Sequence, residues 1–246
     1  MTKLLNQDGQ YTRGREMRWK EGNDIILERL KTLKSEGKLR VLDIGSGETY
    51  NYKILNNLLA KRQVSSKKLE YYAVDNNPKL EKILKNTGVN FCLGDIKSLV
   101  KLYPKKYFDV IIASEIIEHL VDTDNFLLSI KKILKDDGEV FLTTPNLGSW
   151  HSILSLVFGY QPLSTEVSCV RSEFGKFPFA KKYYTNNVLM HIRSFTLHGL
   201  TELLEFHGFS IKKIRGGGYR RIDNLLFSKV LIGLSPILKV IIKKNV

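Results

Sequence analysis

Five short apolar runs with strand character, Arg40–Ile44, Leu69–Val74, Val89–Leu93, Phe108–Ala113 and Val140–Thr143, alternate with segments of helical spacing at 50–62, 78–86, 96–101 and 123–135. Strands separated by helices cannot be joined by hairpins. Each connection has to cross back over the sheet, so the strands lie parallel and both faces are covered. The predicted class is therefore α/β, a doubly wound, Rossmann-like sheet. Ahead of it, residues 20–35 place Ile25, Ile26, Leu30 and Leu33 on one helical face, which predicts an amphipathic N-terminal helix within a separate segment 1–37. The main domain is expected to occupy 38–246.

The rhythm stops after Pro145. From Asn146 to Arg193, Gly, Pro, Ser, Tyr and Phe are interspersed without period, and a long irregular insertion of this kind is more often functional than idle. It is expected to form a lid, about 146–195, over the acceptor. Trp150, Phe158, Tyr160, Phe174, Phe177, Phe179, Tyr183 and Tyr184 give it an aromatic character suited to an apolar or sugar acceptor. Alternation then resumes with a helix over Thr196–His207, a strand over Phe209–Ile214, a glycine turn at Gly216–Gly218, an apolar helix near 222–234 and a final strand-like run, Ile237–Ile242.

The strand Val41-Leu42-Asp43-Ile44 runs directly into Gly45-Ser46-Gly47. Such a turn needs glycine because the chain bends with positive φ and a ligand touches its backbone. A dinucleotide fingerprint would continue with a glycine at position 50, where Tyr50 stands, and the Gly-Lys-Ser/Thr of a P-loop is absent. A pyrophosphate ligand fits poorly. The second and third strands lead into Asp75 and Asp95, so three carboxylates, with Asp43, would gather at the carboxyl edge of the sheet. An acid after the second strand can accept both hydroxyls of a ribose, and one after the third can accept the amine of adenine. Three acids suit a cationic nucleoside. Each is also placed to cap the helix that follows it.

Taken in order, Leu-Asp-Ile-Gly-Ser-Gly (42–47), Tyr-Ala-Val-Asp (72–75), Gly-Asp-Ile (94–96), the Phe108–Leu120 run ending Ser-Glu-Ile-Ile-Glu-His-Leu and the Leu134–Asn146 run ending Thr-Thr-Pro-Asn resemble the class I S-adenosylmethionine-dependent methyltransferases, in particular the ubiquinone-biosynthesis-type and type 11/12 group. The resemblance covers about 38–146 and extends loosely through His191-Ile192-Arg193-Ser194-Phe195-Thr196. It implies a mostly parallel seven-stranded sheet with the last strand antiparallel, an insertion after the fifth strand, and S-adenosyl-L-methionine as cofactor. It further implies that Asp43, Gly45, Ser46 and Gly47 surround the methionyl part, that Asp75 holds the ribose and Asp95 with Ile96 the adenine, and that Asn76 and Ser114 complete the set. The family usually carries a third glycine where Thr49 stands.

Methyl transfer from a sulfonium chiefly requires alignment and exclusion of water. A hydroxyl acceptor adds a need for a base, and His119, just after the fourth strand, is the candidate; the same histidine also suits a structural role. His191 and Arg193 flank the return from the insertion and are candidate acceptor ligands, Arg193 for a carboxylate or phosphate. No metal-ligand spacing can be written, and none is expected. With only Cys92 and Cys169, no disulfide framework is possible beyond one pair, which suggests a reducing, cytoplasmic setting.

The formal charge of +14 divides unevenly. Residues 1–40 carry +4, 41–143 carry +1, 144–211 carry +1 and 212–246 carry +8. An RNA substrate is thus the weaker alternative, because the motif block is nearly neutral and no RNA-binding module is recognisable. A binding protein that holds the nucleoside without turnover is another. The favoured partner is a small-molecule acceptor, of a kind that includes anionic or lipid-linked ones. The N-terminus lacks an apolar core long enough for a signal peptide. Lys229, Gly233, Pro236 and Lys239 interrupt the apolar C-terminal stretch, which is read as non-spanning, with peripheral contact to an anionic membrane surface as a secondary expectation.

Overall fold

A computed structural model describes residues 9–34, 36–178, 190–218, 223 and 226–245. Seven strands form one sheet: β1 (Leu39–Ile44), β2 (Leu69–Asp75), β3 (Asn90–Leu93), β4 (Phe108–Ser114), β5 (Leu134–Pro145), β6 (Phe209–Gly217) and β7 (Ile237–Lys244). Their spatial order is β3-β2-β1-β4-β5-β7-β6. β1 to β5 pair in parallel, and β7 is antiparallel to both neighbours. The predicted sheet and its antiparallel last strand are present.

Side chains alternate across this sheet and so build two cores. Val41, Tyr71, Val110, Ile112 and Phe141 meet Ile25, Ile26, Leu27 and Leu30 of α1 (Gly9–Thr32), together with Leu55 and Leu59 of α2 (Tyr50–Lys61). Leu42, Ile44, Ile111, Ala113 and Leu142 face α5 (Thr123–Ile133) and α7 (Leu197–Phe206), which contribute Phe126, Leu127, Ile130, Leu200 and Leu204. On the first face α1 lies so close to the sheet that a Cβ on Gly22 would come within 2.6 Å of the Phe141 ring. α3 (Lys79–Leu84) and the one-turn α4 (Leu99–Leu102) follow β2 and β3, and α6 (Trp150–Val157) opens the insertion.

Four boundaries differ from the sequence expectation. α1 begins at Gly9, well before residue 20, and packs on the sheet as part of the main core. The helix expected over 123–135 ends at Ile133, because β5 starts at Leu134 and pairs there with Phe108 before a bulge. Gly216 and Gly217 do not turn; they end β6, opposite Leu238 and Ile237. A Cβ on Gly216 would lie 2.1 Å from the Phe227 carbonyl oxygen, so glycine there admits a crossing backbone. Of the helix expected near 222–234, Asp223, Leu226 and Phe227 are helical, but it stops there: bends at 228–231 lead to a short 3-10 turn, Ile232–Leu234. Aromatics Phe179, Tyr183 and Tyr184 fall outside the described residues.

Candidate active site

In the strand order, connections run in opposite directions from β1 and β4, and ligands bind beyond the carboxyl ends at such a switch point. The loop after β1 provides the floor. Gly45 and Gly47 have φ of 64° and 51°, and Thr49 at 54° shares the left-handed region. A Cβ on Gly45 would meet Ile116 Cδ1 at 2.0 Å, whereas one on Gly47 would meet nothing within 4 Å. Gly45 is thus a packing requirement, and Gly47 opens onto space that a ligand can take up.

The Gly47 amide donates to Asp75 Oδ2 at 3.0 Å, and Asp75 Oδ1 accepts from the Asn77 amide at 3.0 Å. One carboxylate therefore ties the glycine loop to the end of β2 and still has lone pairs to offer. Asn76 is exposed beside it. Asp95 caps its own turn by accepting from the Lys97 amide at 2.9 Å, the capping role open to it from sequence, and the Gly94 amide fastens that turn to the Asp75 carbonyl at 3.0 Å. Asp43 is different. It is buried and accepts from the Tyr71 hydroxyl at 2.7 Å, which in turn accepts from Asn51 Nδ2 at 3.1 Å. Burial pushes the Asp43 carboxyl up to about 7, against the Tyr71 hydrogen bond and aided by the Asp75 charge. Asp43 supports the floor from beneath, inside a polar chain that sequence reasoning did not identify.

A second polar cluster rises from the ends of β4 and β5. Ser114 Oγ and Thr143 Oγ1 share a hydrogen bond at 2.9 Å, Thr143 Oγ1 lies 2.9 Å from Glu115 Oε1, and Thr144 Oγ1 donates to Glu118 Oε2 at 3.0 Å. Glu115 takes φ of 57°, unusual outside glycine, and its amide is held by the Thr143 carbonyl at 3.0 Å. Arg18 of α1 reaches Glu115 Oε2 at 3.9 Å. Glu118 is buried with Oε1 lacking a hydrogen bond among the described residues. Burial, with the Glu115 charge, pushes its carboxyl up to about 8 despite hydrogen bonds from its own backbone and Thr144 and the nearby Arg18.

His119 lies on the 3-10 turn Ile117–His119 that follows β4. Its Nδ1 is 3.3 Å from the Met190 carbonyl, which the Nδ1–H tautomer satisfies, leaving Nε2 as an acceptor. Partial burial and the His191 ring, 4.9 Å away between centroids, lower its pKa. His191 Nδ1 is 2.8 Å from the Ser164 carbonyl of the insertion. The insertion returns by donating the amides of Ile192 and Arg193 to the Glu118 carbonyl, at 2.8 and 2.9 Å. His119 and His191 thus lie side by side. Arg193 is exposed and donates to the Val121 carbonyl at 2.7 Å. One ligand atom each of Glu118, His119 and His191 lies within 4.8 Å of the others, a grouping able to hold a metal ion that sequence spacing did not suggest. In the sequence Glu115, Glu118, Thr143 and Thr144 stand within two of the motifs that carry the resemblance, with no role assigned to them.

Comparison with known proteins agrees with this geometry. A family described as "Methyltransferase domain" matches residues 11–214. The bovine mitochondrial ubiquinone biosynthesis O-methyltransferase is 39% identical over 54 residues, 22% of this chain and 15% of that protein. Its counterpart in Dictyostelium discoideum is 26% identical over 127 residues, 49% of this chain and 39% of the relative. The chain thus spans well under half the length of these relatives. A solved 1,6-didemethyltoxoflavin-N1-methyltransferase of Burkholderia thailandensis, holding 1,6-didemethyltoxoflavin and S-adenosylhomocysteine, superposes with a TM-score of 0.55 at 16% identity, over 96% of this chain and 84% of that one. At that identity the likeness speaks for the fold. With a seven-stranded Rossmann-like sheet, a glycine turn beside an acid at the end of β2, and a family match over most of its length, the chain belongs to the class I, S-adenosylmethionine-dependent methyltransferase domain family.

Proposed function

We propose that the chain transfers a methyl group to a hydroxyl of a small-molecule acceptor bound between the carboxyl ends of β1, β2 and β4 and the insertion 146–195. The observation that carries this reading is the pairing of two features at the carboxyl edge of the sheet: the Gly47–Asp75 junction, open above Gly47, and His119 on the turn that follows β4. On this reading Gly45, Ser46 and Gly47 hold the methionyl part of S-adenosylmethionine, Asp75 and Asn76 the ribose, Asp95 and Ile96 the adenine, with Ser114 at the wall. Open space at Gly47 and the lone pairs of Asp75 support the fit. When bound, the cofactor supplies a methyl group on a positively charged sulfur, which an acceptor oxygen takes by in-line displacement.

His119 accepts the hydroxyl proton at Nε2 while its Nδ1–H stays on the Met190 carbonyl. Its lowered pKa keeps it ready to accept at neutral pH. The positive charge it gains is favoured by Glu115 and Glu166, the two carboxylates that raise its pKa, and lies 3.9 Å from Glu118 Oε1. His191 orients the ring of His119 and carries the insertion with it through Ser164. Arg193, next to this junction, is the group for an anionic portion of the acceptor. The curated relatives, named as O-methyltransferases, favour oxygen as the atom methylated.

The test has two arms. Calorimetry should detect S-adenosylmethionine binding, and Gly47→Val should weaken it. A metabolite-extract screen with methyl-labelled cofactor should then reveal a labelled product that His119→Ala loses while cofactor binding remains. Full turnover by His119→Ala would remove the base from the mechanism, and absence of cofactor binding by the wild-type protein would refute the function.

A further inference from the structure

α6 is inverted with respect to a water-soluble domain. Ser149, Ser152 and Ser155 face the protein and are buried, Ser152 with 0% of its surface exposed. Trp150, Ile153, Leu154, Leu156 and Val157 face outward, Val157 at 73% exposure. The inward serines satisfy themselves locally: Ser149 Oγ donates to Ser152 Oγ at 2.8 Å, and Ser155 Oγ donates to the His151 carbonyl at 2.8 Å. An outer helix face this apolar marks a surface that something else covers.

The patch continues beyond the helix. Asn146, just before α6, donates through Nδ2 to the carbonyls of Gly233 and Ser235 at 2.7 and 2.8 Å, and His151 of α6 feels the Asp223 carboxylate. These contacts hold Asp223 and residues 233–235 by the start of α6, and in the chain between them Leu226, Val230 and Leu231 are again exposed, with Lys229 exposed among them. Residues 147–165 contain no Asp, Glu, Lys or Arg.

The basic C-terminal stretch is arranged to match. Of its nine bases, Lys212 and Lys243 pair with Glu139, Lys244 with Asp136 and Lys239 with Glu21. These four serve the domain itself. The other five, Lys213, Arg215, Arg220, Arg221 and Lys229, fall within 213–229, where Asp223 is the only acid. The segment leading into the apolar loop is therefore the cationic one. No helix among the described residues is long and apolar enough to cross a membrane, which leaves contact in the plane of the interface.

We infer that the outer face of α6 and the exposed Leu226, Val230 and Leu231 form a docking surface for an anionic lipid bilayer, with these apolar side chains entering the acyl boundary and the exposed Lys229 among them meeting the headgroups. This relocates the membrane contact expected of the C-terminus: β7 itself is buried between β5 and β6 and is not available. The surface starts where β5 ends, on the side of the sheet where the crevice opens.

Sedimentation of the full chain with phosphatidylcholine vesicles, with and without phosphatidylglycerol, tests this. The protein should pellet with the anionic vesicles, more weakly as salt rises. The pair Leu156→Asp and Val157→Asp should weaken pelleting by about tenfold or more, as expected for keeping two apolar side chains out of lipid, with unchanged circular dichroism and cofactor binding. If the pair lowers the melting temperature, Leu156→Ser alone gives the same comparison. In a Trp19→Phe background, Trp150 emission should shift to the blue on adding anionic vesicles. A protein that stays in the supernatant, or a variant that pellets undiminished, overturns the inference. So does a wild-type dimer in solution that the Asp pair dissociates without any vesicle binding, since a second copy would then be the cover.

Discussion

Replacing Asp43 by Asn tests the buried chain beneath the glycine loop. Asp43 is 4% exposed, and burial holds its carboxyl at about 7 instead of 3.8. A group whose folded pKa is raised takes up a proton on folding, so its contribution to stability is fully present below the unfolded pKa and is lost as pH rises through the folded one. Between about pH 5.5 and about pH 8 the loss integrates to about 2 kcal/mol, and to about 4 kcal/mol over the whole span from one pKa to the other. Asp43→Asn keeps the shape and an oxygen for the Tyr71 hydroxyl but cannot ionise. Urea unfolding of both proteins at several pH values measures the difference. The wild-type minus variant stability should fall by about 2 kcal/mol across that interval, whatever other groups titrate, since they are common to both. A difference that stays flat, or an Asp43 carboxyl observed by NMR to titrate near 4, would refute the argument that desolvation dominates over the Tyr71 hydrogen bond.

Three other outcomes follow from the same geometry. His119 has a lowered pKa, so its neutral form persists below pH 6.5 and turnover should hold on the acid side of that value before falling; a fall centred at or above 6.5 would contradict the burial argument. Lys239 and Glu21 form an ion pair at 3.0 Å with side chains 5% and 13% exposed, and Glu21→Gln, which removes the carboxylate charge from beside a buried ammonium, should cost about 3 kcal/mol in denaturant unfolding. Gly47→Val faces open space but sits at φ of 51°; it should lower stability by only about 1–2 kcal/mol while reducing cofactor affinity by a larger factor in calorimetry.

The sheet was legible because a doubly wound fold writes itself in one dimension. Buried parallel strands such as Phe108–Ala113 are apolar but for Asp109, and the crossover helices carry a 3.6-residue period, so period and length suffice. The glycine turn and Asp75 were legible for a similar reason: a positive φ and a strand-end carboxylate are demands on single positions. Contacts between distant elements leave no such trace. Gly216 looked like a turn residue, yet its lack of a Cβ serves the Phe227 carbonyl that crosses it. Leu134 and Lys135 continued a helical period, yet pairing with Phe108 drew Leu134 into β5.

For this protein the order of residues alone determined the fold class and the crevice, since each rests on local periodicity or on one residue's conformational need, and its five ordered motifs carried the resemblance to the family. Only tertiary structure decided which polar groups share a fate. It buried Asp43 on Tyr71, set Glu118 Oε1 3.9 Å from His119 Nε2 with no hydrogen bond among the described residues, brought His191 from across the insertion to His119, and turned the serines of α6 inward. Burial and proximity set the charge state of a carboxyl and the side of a helix that meets water, and both arise when segments far apart in the chain are packed together.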